Sequence, residues 1–119
     1  MALERRDGYW LWVGGPVPPG SDAVTVWSLV SVRRAAAASP GLIRHEEEHV
    51  RQWHDLGPVG FLQRYLGSYL ASRWRGYGHR AAYRLIPLEI EAYEAQRRFV
   101  EEQERERKAT GGTGDQPLT

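Results

Sequence analysis

Two histidines four residues apart, with three glutamates between them, stand in the stretch RHEEEHVRQW at residues 44–53. They are the residues of this chain best suited to chemistry. On a helix, His45 and His49 lie about 40° apart in azimuth and one turn apart along the axis, so both imidazoles can reach one metal ion. The string reads in two frames. H-E-x-x-H makes Glu46 the base that takes a proton from an activated water, and H-x-x-E-H gives that role to Glu48. The plain alternative is a charged helix face that carries two ordinary histidines.

The rest of the helix chooses between the frames. Glu46 and Glu48 flank the histidine axis symmetrically, but Leu42, Val50 and Trp53 lie on the Glu46 side. Arg44, Arg51 and Asp55 lie on the Glu48 side. Glu46 is therefore expected to face the protein. Glu48 falls on a solvated edge between Arg44 and Arg51, with Glu47 also left to solvent. The frame is H-E-x-x-H, with Glu46 as the base.

Two imidazoles leave room for a third ligand and a water. The chain has no cysteine, so that ligand is not a thiolate. Asp55, ten residues after His45, and His54 both point away from the histidine axis if the helix continues past Gln52. A better source is PLEIEAYEA, where Glu89 and Glu91 come about forty residues later. At i and i+2 these two point to different faces, so at most one of them serves.

Several elements must position these groups. Residues 9–13 (YWLWV) read as a strand, followed by the connection GGPVPPGSD. Residues 23–32 read as a second strand, with Val24, Val26, Val30 and Val32 on one face and Thr25, Trp27 and Leu29 on the other; the two strands suit an antiparallel ribbon. Three helices follow. The first is capped by Ser39, has Pro40 just inside and stops at Gly57. The second starts at Pro58, with Val59, Leu62, Leu66, Tyr69 and Leu70 at helical spacing, and ends near Gly76 or Gly78. The third has Pro87 in its first turn and stops before Gly111, its charged half from Glu101 projecting into water. This organisation implies one domain over residues 1–109 and a disordered tail at 110–119.

HExxH, a following helix, and a glutamate in an E-x-x-A-[DY]-like string (here EIEAY, residues 89–93) resemble the gluzincin zinc peptidases. The closest likeness is to their compact members, the minigluzincins and the core of prenyl-protease and HtpX-like enzymes. The resemblance covers residues 42–95 and, loosely, the strand at 23–32. It implies a small α+β zincin-like domain, a short antiparallel β-ribbon plus three helices, one of them bearing the HExxH. It further implies a Zn2+ ion held by His45, His49 and Glu89, Glu91 being the second-choice ligand. Glu46 would act as general base in hydrolysing a peptide or protein substrate. Where many gluzincins have an Asp four residues after the ligand glutamate, supporting a ligand histidine, this chain has Tyr93. Tyr77, His79, Tyr83 and Arg84, just before the third helix, are of the right type to stabilise an oxyanion, and such folds hold an extended substrate along the edge strand.

Bulk properties bound the alternatives. With 119 residues, 41% apolar and 26% charged, the composition is that of an ordinary globular domain. A net charge of +1 argues against a chain-wide role in holding nucleic acid. No transmembrane run is present and the N-terminal apolar run is too short for a signal peptide, so a cytoplasmic location is the default expectation. Residues 64–84 hold five arginines, no acidic residue, and interleaved tyrosine and tryptophan. Such a segment suits nucleic acid or an anionic membrane surface. The near-neutral chain favours instead arginines that flank a buried helix face and answer the acidic third helix. A zinc-binding or interaction domain without peptidase activity is the remaining alternative.

Overall fold

The computed structural model describes residues 2–111 as an α+β fold, a four-stranded sheet covered on one face by helices. The strands are β1 (Ala2–Arg6), β2 (Tyr9–Val13), β3 (Ala23–Val26) and β4 (Leu29–Val32), in the order β1-β2-β4-β3. The first pair is an antiparallel hairpin turned by Asp7-Gly8, where Gly8 adopts φ 88°. β3 and β4 form a second antiparallel hairpin. The Gly/Pro-rich connection carries the chain from β2 out to the sheet edge, so the returning β4 pairs with β2 in parallel.

Two expectations are corrected here. Residues 23–32 form two strands and not one, because the chain reverses at Trp27, which takes φ 57°. The pairing with residues 9–13 is consequently parallel. Reversal also changes the faces. Thr25 lies opposite Val30 and shares its buried face, while Val26 is 56% exposed. One side of the sheet, with Tyr9, Leu11, Val30 and Val32, packs on Ile43 and Val50. Burying each aliphatic side chain there contributes roughly 1.5–3 kcal/mol.

The helix carrying HExxH is the first arm of α1 (Pro40–Trp74), which follows a short 3-10 turn at Arg34–Ala36. Ser39 Oγ accepts from the Leu42 amide, capping it as the sequence implies, and Pro40 sits at the first turn. At Gly57 the backbone leaves helical geometry (φ 76°, ψ 162°), and Pro58 starts a second arm. Only glycine takes that conformation without strain. A short helix, α2 (His79–Arg84), not foreseen from the sequence, leads into α3 (Pro87–Glu106) and a π-helical turn at Arg107–Gly111. α3 packs along α1, and from Glu101 to Glu106 its residues are exposed. Of the tail expected at 110–119, residues 112–119 lie outside the described residues.

The second arm turns differently from its sequence pattern. Phe61 is buried and stacks on Trp53 across the kink at 4.1 Å, with Tyr65 stacked on Phe61 at 5.4 Å. Ile86 and Leu88 complete this second core. The aromatic face thus points inward, and Val59, Leu62, Leu66 and Leu70, expected to pack, are exposed. No helix among the described residues is long and apolar enough to cross a membrane.

Candidate metal centre

His45 and His49 project from the first arm of α1 toward Glu89 in the first turn of α3. All three are buried, and one ligand atom from each lies within 4.8 Å of the others. Nε2 of His45 is 3.2 Å from Glu89 Oε1, and Nε2 of His49 is 3.2 Å from Glu89 Oε2. The group could hold a metal ion.

Two glutamines orient the rings. Gln52 is 2% exposed, and its Nε2 donates to the Leu88 carbonyl at 2.9 Å and to Glu91 Oε1 at 3.0 Å. A carbonyl can only accept, so the amide is fixed with Oε1 toward His49 Nδ1, 2.9 Å away. Nδ1 of His49 therefore carries a proton, and the Nε2 lone pair points into the site. Gln96 stands in the same relation to His45, with Oε1 3.0 Å from its Nδ1. Two imidazole lone pairs and a carboxylate thus converge on one point. An arrangement of acceptors alone is favourable only around a cation or shared protons. In the protein's own groups the second case is visible. Burial would keep His49 neutral, but its bond to Glu89 and the charges of Glu89 and Glu46 raise its pKa above the ordinary value. Burial likewise opposes the charge on Glu89, yet the bonds from His45, His49 and Tyr65 hold its carboxyl well below the usual range. The donor set, two imidazole nitrogens and a carboxylate without sulfur, is of the type that holds a divalent metal ion.

Glu46 lies beside this group on the same helix and is buried, at 5% exposure. Thr25 Oγ1, from the edge strand β3, donates to Glu46 Oε1 at 2.7 Å. Trp53 Nε1 donates to the Thr25 carbonyl, Ser28 Oγ hydrogen-bonds His54, and Trp27 stacks on His54 at 4.5 Å and meets Trp53 edge-on, so the edge hairpin is tied to α1 through β3 and its turn. Tyr65 donates its hydroxyl to Glu89 Oε2. Burial, followed by the Glu89 charge, pushes the Tyr65 and Tyr83 phenols far above their ordinary range, so both remain protonated donors.

The solvated placements expected for Glu48 and Glu47 are corrected, and the other candidate residues take the following positions. Glu48 does pair with Arg44 and Arg51, but it is 7% exposed and not solvated. Glu47 is half-buried, accepting from Tyr9 Oη at 2.7 Å, because this turn of helix lies over the sheet. Tyr93 touches His45 with its ring, centroids 4.5 Å apart, while the hydrogen bond to that histidine comes from Gln96. His79 is exposed and bonds Tyr69 Oη through Nδ1. Tyr77 and Arg84 are also exposed. Glu91 meets Gln52 and Arg51 and not the histidines, since at i+2 it turns away from Glu89. Asp55 pairs with Arg51, and His54 with Ser28.

Sequence reasoning passed over Thr25, Gln52 and Gln96. Only spacing hints at the glutamines, Gln52 three residues after His49 and Gln96 seven after Glu89, each on its neighbour's face. Thr25 carries no local signal, because the hairpin that brings it to Glu46 is a tertiary feature.

The fold and site together define an α+β protein with a buried His-His-Glu group able to hold a metal ion. No protein-family model, curated protein or solved structure matches the chain.

Proposed function

We propose that this chain is a zinc-dependent peptidase of gluzincin type. The supporting observation is the convergence of His45 Nε2, His49 Nε2 and Glu89 on one point, with the buried Glu46 carboxylate on the same helix turn. A zinc ion held by His45, His49 and Glu89 would supply a Lewis acid and lower the pKa of a water beside it. The remaining chemistry falls to the chain. Glu46 accepts the proton of the attacking water and returns it to the leaving amine nitrogen. Thr25 holds one Glu46 oxygen by a hydrogen bond, leaving the other for that proton. Tyr83, a half-buried phenol just before α3 in the chain, would serve as a donor to the developing oxyanion. Among the described residues β3 has only β4 as a strand neighbour, and its outer edge suits an extended peptide.

Burial of all four groups supports a second reading, in which the metal serves folding and nothing is cleaved. Metal analysis by mass spectrometry and a peptide-library cleavage assay separate the two. Stoichiometric zinc in the wild type, lost in both His49→Ala and Glu89→Ala, supports the centre. Cleavage by the wild type that disappears in Glu46→Gln while zinc is retained supports the peptidase. Zinc without cleavage of any peptide leaves the folding role. Zinc kept by Glu89→Ala and lost by Glu91→Ala would move the third ligand by two residues.

A further inference from the structure

The second arm of α1 carries an unpartnered apolar stripe. Val59, Leu62, Leu66, Leu70 and Trp74 are 70%, 44%, 51%, 62% and 91% exposed. At 100° per residue they share an arc of about 120°. Arg73 lies within that arc, Arg64 and Arg75 fall about 140° and 160° from its centre, toward the opposite side of the arm, and Arg80 and Arg84 stand on the adjoining α2. Residues 56–88 contain no Asp or Glu. Among the described residues, none of these five arginines forms an ion pair; Arg73 donates to the Tyr69 hydroxyl. The acidic α3 therefore does not answer them, contrary to the sequence expectation.

We propose that this arm is an interfacial anchor that lays its leucine and tryptophan stripe into the surface of an anionic lipid bilayer. Leucine and tryptophan on one face, Arg73 among them, further arginines on the same arm and on α2, and no Asp or Glu in residues 56–88 match both halves of such a surface, the acyl boundary and the negative headgroups. Trp74 and the exposed Tyr77, at the end of the arm, are of the type that settles at headgroup depth. The charge pattern selects this occupant over others. A second copy of the stripe would bring two copies of Arg73 together with no Asp or Glu of residues 56–88 to answer them, at a cost in like-charge repulsion. A nucleic acid would answer the arginines but leave the leucines in water. The anchor is independent of the peptidase reading.

The test is co-sedimentation of the full chain with phosphatidylcholine vesicles containing about 30% phosphatidylserine, against pure phosphatidylcholine. Partition is expected to be at least about tenfold stronger on the anionic vesicles. Leu66→Asp and Leu70→Asp should each weaken it at least about tenfold, and Arg73→Gln and Arg75→Gln about fivefold each. Circular dichroism should stay at wild type for all four, since these side chains are exposed. The tryptophan emission should shift to the blue on anionic vesicles, and less so in Trp74→Phe. Absence of partition overturns the proposal, as does partition that Leu66→Asp leaves unchanged. It is equally overturned by a dimer in sedimentation equilibrium that Leu66→Asp dissolves without vesicle binding, or by poly(U) binding insensitive to Leu66→Asp without vesicle binding.

Discussion

The two arms of α1 invert the usual relation between polarity and burial. The first arm buries His45, Glu46, Glu48, His49 and Gln52, all below 9% exposure, while the second leaves four aliphatic side chains and Trp74 in solvent. The difference lies in what each arm packs against. The first lies between the sheet and α3, both of which offer polar partners: Thr25 for Glu46, Gln96 and Glu89 for His45, and Leu88 for Gln52. No buried side-chain polar atom among the described residues is left without a partner. Burial of a charged or polar group is tolerable on those terms and costly on any other. The second arm is cantilevered beyond the Gly57 break, with only its Phe61–Tyr65–Tyr69 side covered. Hydrophobicity alone does not bring a partner to it.

Substitutions can break this contrast, starting with the first arm. Glu46→Gln is expected to cut peptide cleavage by about 10²–10⁴ while metal content and thermal stability hold, read by initial rates beside mass spectrometry. A matching loss of metal would instead make Glu46 part of the binding group. On the second arm, the inward side should behave like core. Phe61→Ala removes the ring that stacks on both Trp53 and Tyr65 and is expected to cost about 3–5 kcal/mol in urea unfolding.

Gln52→Ala leaves the Leu88 carbonyl and His49 Nδ1 without their partner. It should weaken metal affinity about 10–100-fold in competition with a chelator. An unchanged affinity would mean that the ring is held by packing alone. The smallest effect belongs to the outward stripe, where Leu66→Gln should change unfolding free energy by no more than about 0.5 kcal/mol. A larger loss would show that the leucines are covered in solution.

Much of the site was legible because helical periodicity is local. His45 and His49 share a face at any i,i+4 spacing, the apolar side of the helix turned Glu46 inward, and azimuth allowed only one of Glu89 and Glu91 to serve, the choice of Glu89 coming from the gluzincin likeness. Ser39, Pro40, Gly57, Pro58 and Pro87 marked the helix boundaries through backbone chemistry that needs no partner. Reading failed where the answer lay in a partner. At 23–32 the valines keep one face on both sides of Ser28, so period two alone did not reveal the reversal at Trp27. On the second arm two faces were both apolar, one aromatic and one aliphatic, and periodicity cannot rank them.

The sequence by itself determined which residues share a helix face and where the helices begin and break, since φ/ψ preferences and a period of 3.6 act within a few residues. Tertiary structure alone decided that Glu89 meets both histidines, that Thr25 reaches Glu46, and that the leucines of the second arm face outward. Each of these depends on the angle between elements, and that angle is set by the Gly57 break, the Trp53–Phe61 stack and the edge hairpin together.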